Sequence, residues 1–221
     1  MAKKITLTSN NGFGWSFGTT GSKKVELESE HGFGWSFVKS SAPVNTLAPA
    51  ITGTARVGQV LTVTNGTWTG DPAPTFTRQW KRGATNIGTG ATTYTLVAAD
   101  AGQVITCVVT ATNSEGSANA TSNATAAVTQ TPANTALPTI TGTAQVGQVL
   151  TSTNGTWTGT PTPTYTRQWK ADAVNIAGAT AVTYTPVAGD VGKVITVTVT
   201  GTNSAGNASA TSAATAAVIA A

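Results

Sequence analysis

The sequence predicts an all-β protein, built as two tandem β-sandwich modules behind a small N-terminal segment of repeated β-hairpins. One stretch occurs twice: residues 65–70 and 154–159 both read Asn-Gly-Thr-Trp-Thr-Gly, and both precede a Pro-rich turn and a Thr-Arg-Gln-Trp-Lys strand. The offset between the copies is 157 − 68 = 89 residues. Thr, Val and Gly are abundant, charged residues are only 9% of the chain, and no stretch has helical periodicity with caps. A period this long indicates tandem domains rather than a solenoid.

The first module is predicted to contain seven short strands. Turn signals recur about every 8–12 residues, which is the spacing of an all-β sandwich. The strands are expected at residues 50–52, 59–67, 75–81, 86–88, 92–97 and 104–113, with a last one that follows the turn at 114–116 and runs to 128. The second module repeats this pattern.

The N-terminal segment is itself a repeat with a period of 32 − 12 = 20 residues, since 12–17 and 32–37 both read Gly-Phe-Gly-Trp-Ser-Phe. Alternation puts the aromatic residues of each copy on one face of a hairpin. Either the two hairpins close on each other as a private core, or they dock on a partner or on copies of themselves. The residues expected to anchor the chain in the second case are Phe13, Trp15, Phe17, Phe33, Trp35 and Phe37.

These observations divide the chain into three segments: residues 1–42 for anchoring and oligomerisation, a first module at 45–129, and a second at 134–221. Short Pro-containing stretches, at 43–46 and 132–135, are interpreted as linkers that leave the modules limited freedom.

Charge and composition argue against several function classes. The net charge of +4 comes from 12 basic and 8 acidic residues without a clustered basic stripe, so no nucleic-acid partner is expected. The start of the chain has no apolar core typical of a secretory signal, and no run of 18 apolar residues could cross a membrane. We therefore expect synthesis in a cytoplasm and no membrane association.

Residues that could carry chemistry are few. Cys107 is the only cysteine, and Val197 stands at its position in the second module, which favours a small buried side chain over a reactive thiol. His31 is the only histidine, so the chain has too few histidines for a His-based metal or catalytic site. Asp100 and Asp190 precede the sixth strand, where a carboxylate can accept backbone N–H groups. We expect no enzyme, cofactor or metal.

Four tryptophans and the cysteine are predicted to form the structural core: Trp68, Trp80, Cys107, Trp157 and Trp169. Arg78 and Arg167 recur beside the second tryptophan of each copy, on the face opposite Gln79. They could lie over an aromatic ring, and a sugar-binding role is the alternative for them.

The order of residues in each module resembles the immunoglobulin-like fold. In the first module it is Trp80, Asp100-x-Gly102, Ile105-x-Cys107 and Ala111-x-Asn113-x-x-Gly116, and the second repeats it from Trp169 to Gly206. The pattern departs from antibody domains because no cysteine lies in the second strand and Ile105 and Ile195 stand where a tyrosine is usual.

The amino-acid sequence at residues 51–55, 57–59 and 65–68 further resembles bacterial-type immunoglobulin-like repeats, which occur in bacterial surface proteins and on the exterior of tailed bacteriophages. This resemblance implies a non-enzymatic structural protein of the virion, attached by residues 1–42 to major capsid or tail proteins, with the modules projecting outward. We favour the head exterior over the tail, and expect a homo-oligomer such as a trimer. Weak attachment to host-surface glycans would be a further use. The alternative is a bacterial adhesin or carbohydrate-binding module, and a spacer without binding activity is a third option.

Overall fold

The computed structural model describes residues 40–221, so the predicted hairpins and their six aromatic anchors lie outside the described residues. Within residues 40–221, a pair of modules with the same topology follow one another, and both consist of β-strands with a single short 3₁₀ turn each. No helix in residues 40–221 is long and apolar enough to span a membrane.

The first module contains nine strands. Their bounds are β1 Ser41–Leu47, β2 Ile51–Thr52, β3 Val60–Val63, β4 Thr67–Asp71, β5 Thr75–Arg82, β6 Thr85–Ile87, β7 Thr93–Thr95, β8 Ile105–Asn113 and β9 Gly116–Thr121, with a 3₁₀ turn at Ala98–Asp100. The second module repeats them as β10 Gln130–Ala136, β11 Ile140–Thr141, β12 Leu150–Ser152, β13 Thr156–Thr160, β14 Thr164–Ala171, β15 Val174–Asn175, β16 Thr183–Tyr184, β17 Ile195–Asn203 and β18 Gly206–Thr211, with its 3₁₀ turn at Ala188–Asp190.

Two sheets face each other in each module. In the first module one sheet has the order β2-β3-β7 and the other β6-β5-β8-β9, and every neighbouring pair is antiparallel. The second module has β11-β12-β16 and β15-β14-β17-β18. This is the strand order of an immunoglobulin-like sandwich, in which strands C, F and G share one sheet; here those strands are β5, β8 and β9. The predicted fold class, two tandem immunoglobulin-like sandwiches, is therefore confirmed.

Period-two alternation selects which residues enter the core. Along β8 the side chains from Ile105 to Ala111 are alternately buried and partly exposed, and β17 shows the same pattern. The register pairs Trp80 with Cys107 and Trp169 with Val197 across the sheet centre. These inward faces are apolar because only they are shielded from water, and each fully buried aliphatic side chain contributes about 1.5–3 kcal/mol.

The core of each module forms around one fully buried tryptophan. The first core cluster comprises Ile51, Leu61, Val63, Trp80, Leu96, Ile105, Cys107 and Val128. The second comprises Leu150, Trp169, Ala171, Ile195, Val197, Val199 and Val218. The indole N–H of each tryptophan donates to a carbonyl, Ala91 O or Ala181 O, so that the polar end of the ring is satisfied inside the sandwich.

The predicted linkers are strands in the structure, so that interpretation was wrong. β1 pairs with β4, and β10 with β13, each as a two-stranded ribbon. Each ribbon has two central residue pairs with a register shift on either side, and Pro43 and Pro132 fall inside the first shift. A proline is tolerated at such an irregularity because no ladder bond needs its missing N–H.

The predicted second strand, 59–67, is also interrupted. β3 ends at Val63 and β4 begins at Thr67. Between them Gly66 has φ +74°, and a Cβ built on it would lie 2.2 Å from Leu47 O. Only glycine fits this bend, which turns the chain from the sandwich sheet into the ribbon. Gly155 repeats it with φ +73°.

Candidate functional site

Each module contains a cluster of polar and aromatic side chains at the bend between its sheet and its ribbon. We call these the arginine clusters. Their members are Asn65, Trp68, Phe76 and Arg78 in the first module, and Asn154, Trp157, Tyr165 and Arg167 in the second. Sugar binding is the alternative role that the sequence leaves open for Arg78 and Arg167.

The aromatic pair of each arginine cluster is half-buried. The ring centroids of Trp68 and Phe76 are 6.1 Å apart, and those of Trp157 and Tyr165 are 5.9 Å apart. Trp68 Nε1 donates to Asn65 O at 2.7 Å, which closes the bend onto the ring. Trp68 and Trp157 are half-buried, and Trp157 packs against the second core cluster, whereas Trp80, Trp169 and Cys107 are fully buried.

The arginine of each cluster is bound within its own module. Arg78 Nη2 donates to Asn65 Oδ1 at 2.5 Å, and Arg167 Nη2 donates to Asn154 Oδ1. The Nε atoms of both arginines are buried and have no hydrogen-bond partner among the described residues. Since the guanidinium group already has an internal acceptor and is half-buried, the geometry gives no support to sugar binding at Arg78 or Arg167.

A second cluster of polar side chains surrounds the carboxylate of Asp100, in the 3₁₀ turn Ala98–Asp100. This side chain is fully buried and accepts from Val97 N at 2.8 Å and from the Tyr94 hydroxyl at 2.9 Å. The predicted bond from a backbone N–H to this carboxylate is confirmed. Arg82 Nε also donates to it, at 2.7 Å. Burial, with the bond to Asp100, raises the pKa of the Tyr94 phenol above its ordinary value.

The second module keeps this arrangement without the arginine. Asp190 accepts from the Tyr184 hydroxyl at 2.5 Å and from Val187 N at 2.9 Å. Ala171 stands where the first module has Arg82, and no basic side chain among residues 40–221 forms an ion pair with Asp190. Burial and the bond to Asp190 raise the pKa of Tyr184 as well.

Cys107 is enclosed in the first core. It is fully buried, its N–H donates to Ser122 Oγ at 3.0 Å, and burial raises the pKa of its thiol. A buried thiol with a raised pKa is a poor nucleophile, because the thiolate is the reactive form.

The two modules meet through loops at facing ends. Arg56 Nη1 donates to Ala205 O at 3.4 Å, and a Cβ built on Gly102 would lie 3.7 Å from the Thr160 methyl group. Ala205 is only 8% exposed, whereas Glu115, at the same turn of the first module, is exposed. Ala205 therefore lies where the two modules touch. At the same turn of the first module, Glu115 faces solvent among the described residues.

One asparagine ties three segments together at that end of each module. Asn113 Nδ2 donates to Ser41 O and to Pro72 O, both at 2.8 Å, and its Oδ1 accepts from Glu115 N. Asn203 makes the corresponding bonds to Gln130 O, Pro161 O and Ala205 N. A single side chain therefore links the first ribbon to the proline turn.

Sequence reasoning missed Asn65, Arg82 and Asn113 as organising residues. Asn65 and Arg78 are 13 positions apart, as are Asn154 and Arg167, and this repeated spacing was the available signal. Within residues 40–221, no group of three His, Cys, Asp or Glu side chains is placed to hold a metal ion.

No protein-family model matches the chain, and no curated protein matches it. Among solved structures, a titin I67–I69 variant is 14% identical with a TM-score of 0.44, covering 82% of this chain and 66% of its own. Sidekick-1 immunoglobulin domains 1–4 are 19% identical with a TM-score of 0.42, covering 84% of this chain and 50% of theirs. The N-terminal four Ig domains of Dscam1 isoform 7.44 are 18% identical with a TM-score of 0.38, covering 83% and 47%. This chain spans about half to two thirds of their lengths.

Proposed function

We propose that the chain is a non-enzymatic structural protein whose two immunoglobulin-like modules serve as a projecting spacer. The observation that carries this proposal is that the second module repeats the internal polar contacts of the first. The Asn–Arg bond, the buried aspartate with its tyrosine, and the asparagine that ties the ribbon all recur. The polar groups in these contacts hold loops in place within each module. This suits a module that keeps its two ends at a fixed distance rather than one that converts a substrate.

The junction supports a spacer role for the pair. The turn that carries Ala205 is packed against Arg56 of the preceding module, while the turn at Glu115 keeps a charge. Tandem modules with a specialised contact between them hold a set spacing better than modules on a free linker.

We further propose that residues 1–42 attach this spacer to the outside of a bacteriophage particle, on the head or the tail. The support is the repeated aromatic pattern of that segment, with Phe13, Trp15, Phe17 and their second copy, together with the resemblance of the modules to bacterial-type immunoglobulin-like repeats, which also occur on the exterior of tailed bacteriophages. On the two predicted hairpins the six aromatic residues would present a large apolar surface, which a partner or further copies of the chain would cover.

Co-purification with particles tests this function. The full chain would be expressed in bacterial cells in which phage particles assemble, and gradient-purified particles would be probed with an antibody against the modules. We expect the chain in the particle fraction, a large loss for the double variant Trp15→Ser/Trp35→Ser, and no loss for Lys81→Ala, a change in the first module. A chain that never sediments with particles, or one that sediments equally well with both tryptophans replaced, would contradict the attachment.

A further inference from the structure

We infer that Asn65-Gly66 and Asn154-Gly155 are sites of self-modification, at which the asparagine converts to aspartate and completes an ion pair with the arginine beside it. The geometry that carries this inference is the incomplete pairing of the two guanidinium groups. Each gives one N–H to an asparagine oxygen and leaves a buried Nε–H without an acceptor among the described residues.

The unpartnered Nε is next to Nη2, the atom that donates to the asparagine. Nε and Nη2 form one edge of the planar fork, and a carboxylate binds that edge with both oxygens. Asn65 offers only Oδ1 to this edge, because its Nδ2 is a donor and cannot accept from Arg78 Nε. Replacing Nδ2 by oxygen would supply the missing acceptor without moving the backbone.

The dipeptide is chemically able to make this change by itself. The backbone nitrogen of Gly66 attacks Cγ of Asn65, a C–N bond forms, and Nδ2 leaves as ammonia with the proton from Gly66 N. Water then adds to Cγ and breaks the new bond, which leaves aspartate and an unaltered main chain. Water is the sole co-reactant, and no electrons are exchanged.

The surroundings of Asn65 favour the first step. Attack on Cγ develops negative charge on Oδ1, and Arg78 Nη2 already donates to that atom at 2.5 Å. No described group accepts a hydrogen bond from Gly66 N, and the corresponding bond of Gly155 N, to Thr153 Oγ1, is long at 3.4 Å. The attacking nitrogen is therefore little restrained in either module.

The surroundings also select the product. Water could instead break the original main-chain bond and insert a methylene into the backbone as isoaspartate. Gly66 is packed so closely that a Cβ on it would lie 2.2 Å from Leu47 O, and Gly155 is packed equally closely on Ala136 O. A main chain lengthened by a methylene beside these glycines would have to shift this close packing, so we expect the ordinary aspartate as the main product. Each conversion removes one positive net charge, from +4 to 4 − 2 = +2 when both sites react.

Peptide mapping of the aged protein tests the reaction. The purified full chain would be held at mildly alkaline pH and physiological temperature, digested, and analysed by mass spectrometry that separates aspartate from isoaspartate. We expect aspartate at positions 65 and 154, while Asn113 and Asn203, which are followed by serine, stay intact. Asparagine retained at both positions over a period in which the denatured chain converts would overturn the inference, as would isoaspartate as the main product.

Variants test the role of the arginine and the benefit of the product. Arg78→Lys should slow conversion at Asn65 several-fold while Asn154, in the same molecule, converts at its usual rate. Asn65→Asp should lower the unfolding equilibrium constant of the first module by at least about five-fold, and Asn65→Ala should raise it. Unchanged conversion in Arg78→Lys, or an Asn65→Asp variant less stable than the parent chain, would refute the ion pair as the driving feature.

Discussion

Arg82 Nε donates to Asp100 Oδ1 across 2.7 Å, and this bond distinguishes the two modules. The carboxylate is fully buried, while the arginine side chain is 25% exposed. In the second module Asp190 has the same tyrosine and backbone donors, but Ala171 occupies the position of the arginine. The two modules therefore offer a matched comparison, with and without the arginine, within one chain.

Arg82→Ala should destabilise the first module, because it leaves a buried carboxylate with one donor fewer. The converse change, Ala171→Arg, should stabilise the second module by giving Asp190 the same partner. Thermal unfolding of the full chain, followed by hydrogen exchange in each module, would measure both effects.

Lys81→Ala is the control for this pair, since Lys81 is adjacent but has no ion-pair partner among the described residues. If Arg82→Ala changes stability no more than Lys81→Ala does, the arginine contributes nothing at this corner.

The two modules should lose stability at alkaline pH. The pKa values of Tyr94 and Tyr184 are raised above the ordinary phenol value of 10.0, mainly by burial. A raised folded-state pKa contributes stability that is present below the ordinary value and is lost as pH rises through the folded-state value. Denaturant unfolding as a function of pH should show a decline that begins near pH 10.

Tyr184→Phe should flatten that decline for the second module and Tyr94→Phe for the first, because phenylalanine has no proton to lose. Each variant should also lose some stability at neutral pH, since its aspartate lacks one donor. An unchanged alkaline slope in both variants would show that other groups govern this range.

Asn113→Ala should lower the free energy of unfolding of the first module by about 1–3 kcal/mol. The ribbon carbonyl Ser41 O and the turn carbonyl Pro72 O both lose the hydrogen-bond donor that Asn113 supplies. Asn119→Ala, on the exposed face of β9, is the matched control and should change stability by less than about 0.5 kcal/mol. Denaturant unfolding gives both values, and equal effects would mean that the ribbon does not depend on Asn113.

Cys107 should resist alkylation in the folded chain and react readily once the chain is denatured. Burial both shields the thiol and raises its pKa, so little thiolate is present. Cys107→Val should fold normally, since Val197 fills the corresponding place in the second core. Rapid labelling of the native chain would show that the first core opens far more often than its packing implies.

The central strands were predictable because their side chains alternate. Trp80 and the run from Ile105 to Asn113 have a clear period of two and clear turns beside them, and the structure places them at the centre of the larger sheet. The ribbon strand β1 was missed because Pro43 indicates a linker by itself. Its pairing with β4 depends on a distant partner that no local pattern encodes.

The arginine cluster was only partly predictable. Alternation correctly put Arg78 on the face opposite Gln79, but its acceptor, Asn65, is brought to it by the bend at Gly66. Similarly, Arg82 and Asp100 are 18 positions apart and meet only after the chain has passed through β6 and β7. Such contacts are products of the fold, so the sequence could suggest the residues but not their pairing.

Immunogold labelling of purified particles, with an antibody raised against the two modules, tests the proposed function most directly. We expect gold at the outer surface of heads or tails, and loss of that label from particles assembled with the Trp15→Ser/Trp35→Ser chain. Unlabelled particles, with the antigen found instead on the bacterial surface or free in the lysate, would contradict it.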